Sequence, residues 1–351
     1  MEYDKIIALI KREVVPAVGC TEPVAVALCA SVAAEALQAE PDDISVRLSA
    51  NMLKNAMGVG IPGTGMIGLP IAVVLGALVG KPEDELEVLK SVTPADVERG
   101  KAYLASHRVD IALESDNDEK LYIEVEMHVA GHSSRAVISG SHTFVSRVER
   151  DGVVLRDALS SGDGDCDAVD VELTLRLVYD FAMTVPVEKI EFISEAARLN
   201  MAAAETSFNG DYGHGLGRIL RHDNELRIMG DTLFSRILAY TSGACDARMS
   251  GAMVPVMSNS GSGNQGIAAT VPVVVYGREC GASHEQMLRA LILSHLTVIY
   301  IKHSLGRLSA LCGCVVAATG SSCGITYLMG GGYDEVSYLS LIHISEPTRL
   351  R

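Results

Sequence analysis

Val109-Asp-Ile-Ala-Leu113 and Leu121-Tyr-Ile-Glu-Val-Glu-Met127 decide the fold class, because apolar side chains recur in them at every second residue. That is the period of a half-buried strand. The same alternation marks Asp43–Ser49, Ala136–Ile138 and Phe144-Val-Ser-Arg-Val148, with Glu149-Arg-Asp-Gly152 as a hairpin turn after the last of them. On either side the period lengthens to that of a helix: 4–38, a buried helix over 61–79, an exposed one over Glu83–Ser106, and helical pattern from Val169 onward. The reading is therefore α+β, a mainly helical domain carrying an inserted small antiparallel β lobe. Residues 1–38, 61–106 and 169–338 go to the helical, catalytic domain and 39–60 and 107–168 to the lobe. The acidic, glycine-containing run Ser160–Asp165 serves as a linker.

Composition narrows the function. The 351 residues carry a net charge of -15, so a basic stripe for nucleic acid is missing. Aromatic residues are 5% with no Trp, against 48% hydrophobic, and the core must be built of Ala, Val, Leu, Ile and Met. Three uncharged stretches, Ile61–Gly80, Gly251–Gly277 and Leu308–Gly332, are long enough to span a bilayer, but each is broken by Gly and polar residues and lacks flanking basic clusters. They read as buried core or active-site segments, and the chain reads as cytoplasmic with no membrane partner. Whether it forms a homo-oligomer is open at this stage.

Ser258-Asn-Ser-Gly-Ser-Gly-Asn-Gln-Gly266 contains glycines and hydroxyls with no charge. Such a loop can hold an anion on backbone amides, aided by a helix starting near Asn264, although Gly/Ser-rich turns are as often only turns. Gly19-Cys-Thr-Glu-Pro23 leads into a small-residue helix beginning at Thr21. Cys20 thus stands at a helix N-terminus, where a thiolate is favoured, though Glu22 adds negative charge nearby. In Asn51-Met-Leu-Lys-Asn55, Lys54 can meet a substrate carboxylate or form a Schiff base, or can simply be a solvated lysine; Asn51 and Asn55 offer fixed hydrogen bonds. Asp246 and Arg248 precede the glycine loop and can brace it as a pair. The eight cysteines include no CxxC, so most read as small buried hydrophobes.

Taken in order, Cys-Thr-Glu-Pro, Asn-x-x-Lys-Asn, Pro-Gly-Thr-Gly (62–65), Ser-Gly-Ser-Gly-Asn-Gln-Gly (260–266) and Arg-Leu-Ser-Ala-Leu-Cys (307–312) resemble the iron-sulfur L-serine dehydratase alpha-chain family. The likeness runs from Glu13 to about Tyr338 and is strongest with its L-cysteine desulfidase-like branch. It implies a [4Fe-4S] cluster with Cys312 as a ligand, and catalytic roles for Cys20, Lys54 and His142, the last in a Gly-His-Thr-like element. It also implies substrate contacts from Thr21, Glu22, Asn51, Asn55, Thr64, Ser258, Ser260, Gly261, Ser262, Gly263, Asn264 and Gln265. The implied reaction is β-elimination from L-cysteine or L-serine to pyruvate and ammonia, with sulfide from cysteine. Residues 339–351, Leu-Ser-Leu-Ile-His-Ile-Ser-Glu-Pro-Thr-Arg and onward, read as a foreign, adapter-like tail, with the remaining family ligands expected beyond Tyr338. A pyridoxal-phosphate lyase and a non-catalytic carboxylate-binding protein are the rival readings.

Overall fold

The computed structural model describes residues 3–115, 119–158, 171–222, 230–305 and 313–343. In chain order the helices used below are α1 (Tyr3–Glu13), α2 (Thr21–Leu37), α3 (Ala50–Ala56), α4 (Leu69–Val79), α5 (Pro94–Ser106), α6 (Leu175–Thr184), α7 (Ser194–Phe208), α8 (Leu216–Leu220), α9 (Leu233–Met249), α10 (Gly263–Glu279), α11 (His284–Leu305) and α12 (Gly313–Leu328). The strands are β1 (Asp43–Leu48), β2 (Arg108–Leu113), β3 (Tyr122–Val129), β4 (His132–Ser139), β5 (Val145–Arg150) and β6 (Val153–Asp157). The chain is α+β and mainly helical. It divides into two compact units, one of Met1–Pro16, Val169–Arg248 and Val254–Arg351, the other of Ala17–Ala168 with Met249–Met253.

The second unit holds a six-stranded sheet in the order β2-β1-β3-β4-β5-β6. The sheet is mixed: β1 and β2 run parallel, Asp43 to Leu48 against Arg108 to Leu113, and the other neighbours are antiparallel. A parallel pair needs a crossover, and 49–107 with α3, α4 and α5 supply it. Both hairpin turns, Ala130-Gly131 and Asp151-Gly152, have positive φ at both central residues, the geometry that matches strand twist. One sheet face buries Ile44, Val46, Leu48, Ile123, Val125, Met127, Ala136 and Ile138. The other carries charge, Arg135 pairing with Glu124 and Arg147 with Glu149.

Helix α2 packs on the buried face. Cys29 Sγ donates to Ala136 O at 3.3 Å and Ser134 Oγ to Ala33 O at 2.8 Å. Burial pushes the Cys29 thiol far above its ordinary range, so it is an inert packing group. Small residues let helices approach closely: a Cβ on Gly76 of α4 would stand 2.2 Å from Ala27 O of α2. The sheet unit thus contains α2 and α4, which the sequence pattern alone assigned to the helical domain. An amphipathic moment cannot tell which partner a wholly apolar helix will choose.

Helix boundaries also sharpen. The 4–38 helix is interrupted between Glu13 and Thr21, where Pro16 and the left-handed Gly19 (φ 72) break the ladder. The helix expected over 61–79 begins only at Leu69, after the Pro-Gly-Thr-Gly turn, and that over 83–106 at Pro94, behind a capping box of Thr93 and Asp96. In the first unit, α10 and α11 form an antiparallel pair with α12 against them; Cβ atoms on Gly320 and Gly324 would stand 2.6 and 2.7 Å from Ser294 O and Ala290 O. No helix among the described residues is long and apolar enough to cross a membrane.

Candidate active site

Ser134 beneath Ala33 and Ala136 beneath Cys29 set α2 antiparallel to β4. Continuing at roughly 1.5 Å per helical and 3.3 Å per strand residue, the start of α2 comes level with the end of β4. His142 sits in the turn that follows β4, between Ser139 and Val145. Leu48, the last residue of β1, pairs with Ile123, which pairs with Ile138. Helix α3 with Asn51, Lys54 and Asn55 therefore leaves the sheet at that same end. Three segments far apart in sequence are gathered there.

Glu22 is the centre of the group. Its Oε2 accepts from Cys20 Sγ at 2.9 Å and Thr21 Oγ1 at 3.1 Å, and its Oε1 from Asn55 Nδ2 at 3.2 Å. Three donors fix the carboxylate in one orientation. Cys20 is the N-cap of α2 and only 6% exposed, with extended backbone and no side-chain cap bond. Its sulfur thus lies beside both the first-turn amides of α2 and a proton acceptor. The negative charge that sequence reasoning counted against Cys20 is the group its thiol donates to. Asn51 lies one turn before Asn55 on the same helix face, while Lys54 is exposed.

Thr64 takes another part. Its hydroxyl donates to Ile61 O at 2.9 Å and accepts from Met66 N at 2.9 Å, closing the turn between Gly60 and Ile67. That turn is clamped on two sides. A Cβ on Gly19 would meet Pro62 Cγ at 2.3 Å, and one on Gly60 would meet Ser250 C at 2.4 Å. The glycines of separate motifs thereby lock 19–23, 60–65 and 249–253 together.

The Ser258–Gly266 loop belongs to the first unit. Asn259 and Ser262 exchange both backbone hydrogen bonds around Ser260 (φ 47) and Gly261 (φ 79), a two-residue turn with left-handed centre. Ser258 N and Oγ both donate to Val15 O, and Ser260 N donates to Glu13 O at 2.9 Å. Four amides expected to face an anion, those of Ser258, Asn259, Ser260 and Ser262, are thus bonded to protein carbonyls. Those of Gly263 and Asn264, in the first turn of α10, have no acceptor among the described residues. Ser262 caps that helix, its Oγ accepting from Gln265 N. Gly263 is required by close approach and not by a left-handed φ: a Cβ there would stand 2.2 Å from Arg248 Nε.

Beneath the loop lies a polar network invisible in the sequence. Asn259 Nδ2 donates to His295 O at 3.1 Å and to His295 Nδ1 at 3.0 Å, so Nδ1 is the acceptor and the proton sits on Nε2. His295 Nε2 then donates to Thr270 Oγ1 at 2.9 Å, which donates on to Gly266 O at 2.7 Å. Asn200 Nδ2 reaches Met257 O, Gly266 O and Thr270 Oγ1, and its Oδ1 accepts from Met257 N. Gln265 Nε2 donates to Asn259 O at 3.0 Å.

Complete burial lowers His295 from its usual 6.5 to about 4. The folded chain takes up this proton less readily than the unfolded chain, so the contribution to stability is whole above pH 6.5. It declines as pH falls from 6.5 toward 4 and levels off below that. The expected loss across this window is about 3 kcal/mol. Urea unfolding from pH 7 to 4 measures it, and His295→Gln should flatten that segment of the profile.

Asp246 does not pair with Arg248. It accepts from His214 N and Leu216 N at the start of α8, while Arg248, 2% exposed, donates from Nη1 to Asn264 Oδ1 at 3.0 Å. Cys312 lies outside the described residues. Among the described residues no group of three or more His, Cys, Asp or Glu could hold a metal ion.

The sequence model of the serine dehydratase alpha chain family matches residues 83–346. The chain belongs to that family. Its relatives include a UPF0597 protein of Bacteroides fragilis, 64% identical over 338 residues, 96% of this chain and 79% of that protein. UPF0597 proteins of Bacteroides thetaiotaomicron and Aeromonas hydrophila are 60% and 47% identical, each over 96% of this chain and over 79% and 77% of their own lengths. The family match begins at residue 83, beyond the Cys20 and Asn55 segments. The relatives' alignments, at 96% of the chain, extend well past that range.

Proposed function

We propose that this chain is a lyase removing the β-substituent of a small L-amino acid, L-cysteine or L-serine, with release of pyruvate and ammonia. One observation carries the reading: a thiol at a helix N-terminus donating to a carboxylate that a neighbouring helix holds in place. In this reading Glu22 takes the thiol proton and the Cys20 sulfur takes the α-proton of the substrate, so each acceptor has a defined donor. His142, in the turn at the same end of the sheet, returns a proton to the departing hydroxide or hydrosulfide. Loss of water or hydrogen sulfide leaves an aminoacrylate, whose hydrolysis gives pyruvate and ammonia. Asn51 and Asn55 orient polar groups of the substrate.

The resemblance implies a [4Fe-4S] cluster, which when bound would supply a Lewis acid for the leaving group. The described residues do not make a ligand set for it, and no step is assigned to it. The L-cysteine desulfidase branch, cytoplasmic placement and a role for Lys54 belong to the same proposal. Lys54, the Schiff-base residue of a pyridoxal-phosphate reading, is exposed, which favours the thiol mechanism over that one.

The test is chemical. Protein purified without oxygen, given L-cysteine and L-serine separately, is assayed for pyruvate, ammonia and sulfide. Pyruvate and ammonia in equal amounts from either amino acid, with sulfide only from cysteine, is the expected result. Neither product from either amino acid would overturn the assignment.

A further inference from the structure

The sheet is wider than the helix that covers it. Helix α2 packs across β3, β4 and β5, whereas β6 continues the sheet beyond it, with Val153 and Leu155 62% and 58% exposed. Under that overhang, bounded by β5 and β6, by α2 and by the 3-10 turn Pro82–Glu87, lies a cleft of about 770 Å³. Its floor is apolar, made by Leu28 and Val32, one turn apart on α2, and by Val148 of β5. Packed layers stand about 10 Å apart, which sets the scale of the gap.

The two sides of the cleft carry opposite charge. Val148 pairs with Arg156 in the β5–β6 register, and Arg150 follows Val148 on the same face, so both arginines line the strand side. Glu35 of α2 and Glu83 and Glu85 of the turn line the other. Arg150 is engaged, its Nη1 donating to Gln38 Oε1 at 2.6 Å and tying β5 to the end of α2. The side chains of Arg156, Glu35, Glu83 and Glu85 make no hydrogen bond or ion pair among the described residues. Elsewhere in this unit neighbouring opposite charges do meet, as in Arg99–Glu40 and Arg47–Asp110. Asp84 gives the sharpest contrast: it stands between Glu83 and Glu85 in the chain, outside the cleft lining, and pairs with Lys90 at 2.8 Å. The width of the cleft keeps the guanidinium of one side and the carboxylates of the other from reaching each other.

A molecule that satisfies both sides is a zwitterion whose charges are held well apart. A free α-amino acid carries them on one carbon and reaches only one side. An extended peptide advances about 3.3–3.6 Å per residue, so three residues span about 10 Å. We propose that this cleft binds a short peptide of about three residues with free termini. Its C-terminal carboxylate meets Arg156, its N-terminal ammonium lies among Glu35, Glu83 and Glu85, and an apolar central side chain rests on Leu28, Val32 and Val148. This site is separate from the Cys20–Glu22 group and stands whether or not the lyase assignment does.

Calorimetric titration of the full chain compares four probes: Ala-Leu-Ala with free termini, its N-acetyl form, its C-terminal amide, and free L-leucine. An exposed charge contact changes Kd by about fivefold at most. Blocking either terminus should therefore weaken binding about three- to fivefold, and L-leucine should bind at least about tenfold more weakly than the free tripeptide. Substitutions then assign the ends. Arg156→Gln should erase the preference for the free carboxylate over the amide while the preference for the free amine is kept, and Glu83→Gln with Glu85→Gln should do the reverse. These side chains are exposed, so the fold is expected to tolerate all three changes. Absence of saturable binding of the free tripeptide up to about 10 mM would overturn the proposal. So would a blocked peptide or L-leucine binding as tightly as the free tripeptide, or an Arg156→Gln chain that keeps the full preference for the carboxylate.

Discussion

Gly266→Ala is expected to cost about 3 kcal/mol of stability or more, the largest loss from adding a single methyl group to this loop. A Cβ at 266 would stand 2.0 Å from Met257 O and 2.7 Å from Ser258 C and Cα. All three are backbone atoms, and they cannot swing aside as a side-chain tip can. Met257 is pinned in addition by Asn200, which bonds both its N–H and its carbonyl, and Gly266 O receives Asn200 and Thr270. Forced overpacking usually costs about 1–3 kcal/mol, with higher values where nothing can relax. Gly58 has nothing within 4 Å of an added Cβ, and Gly58→Ala should change stability by no more than about 0.5 kcal/mol. Urea unfolding compares the two, and equal midpoints would show that the loop tolerates a displaced backbone.

The α+β class was legible in the sequence because period two and period 3.6 alternate along the chain in long blocks. The strands at Asp43, Val109, Tyr122 and Val145 were found from their alternation alone. What alternation cannot give is the partner. Asp43–Leu48 sits between one parallel and one antiparallel neighbour, and the final strand, Val153–Asp157, is exposed almost throughout and so carries no inside-outside pattern. Helix α2 is apolar on nearly every side, so nothing in it announced that it would cover the sheet.

The candidate site was legible where a residue type is unusual for its surroundings. Cys20 before a helix start, the paired asparagines and the glycine loop stand out in the chain, and hydrogen bonds join Cys20 and Asn55 through Glu22. Two glycines are constrained by segments distant in sequence, which the chain alone cannot show. Gly263 is small because Arg248 is there, and Gly60 because Ser250 is there. His295, Asn200 and Thr270 were invisible for the same reason. Each lies in an otherwise ordinary helix, and only the crossing of α7, α10 and α11 brings them under the loop.

Cys20→Ala is expected to lower kcat by a factor of about 100 to 10,000, the range over which a positioned acid or base contributes. The fold should be kept, because the residue precedes a helix of Ala, Val and Leu and the exchange removes a single sulfur atom. Glu22 would still hold Thr21 and Asn55, so the remaining polar contacts give the variant no reason to rearrange. Cys20→Ser restores a hydroxyl that can donate to Glu22 but is a far weaker acid, and should recover only a small part of the rate. Glu22→Gln separates the two roles: the amide can accept a hydrogen bond from the thiol but cannot take its proton. It should therefore fall close to the Cys20→Ala rate, with the effects of the two substitutions in one chain far from additive. Steady-state assays of pyruvate from both amino acids measure all four variants. Turnover by Cys20→Ala within a factor of two of the original would remove the thiol from the mechanism and leave Glu22 with His142 as the groups able to move the α-proton.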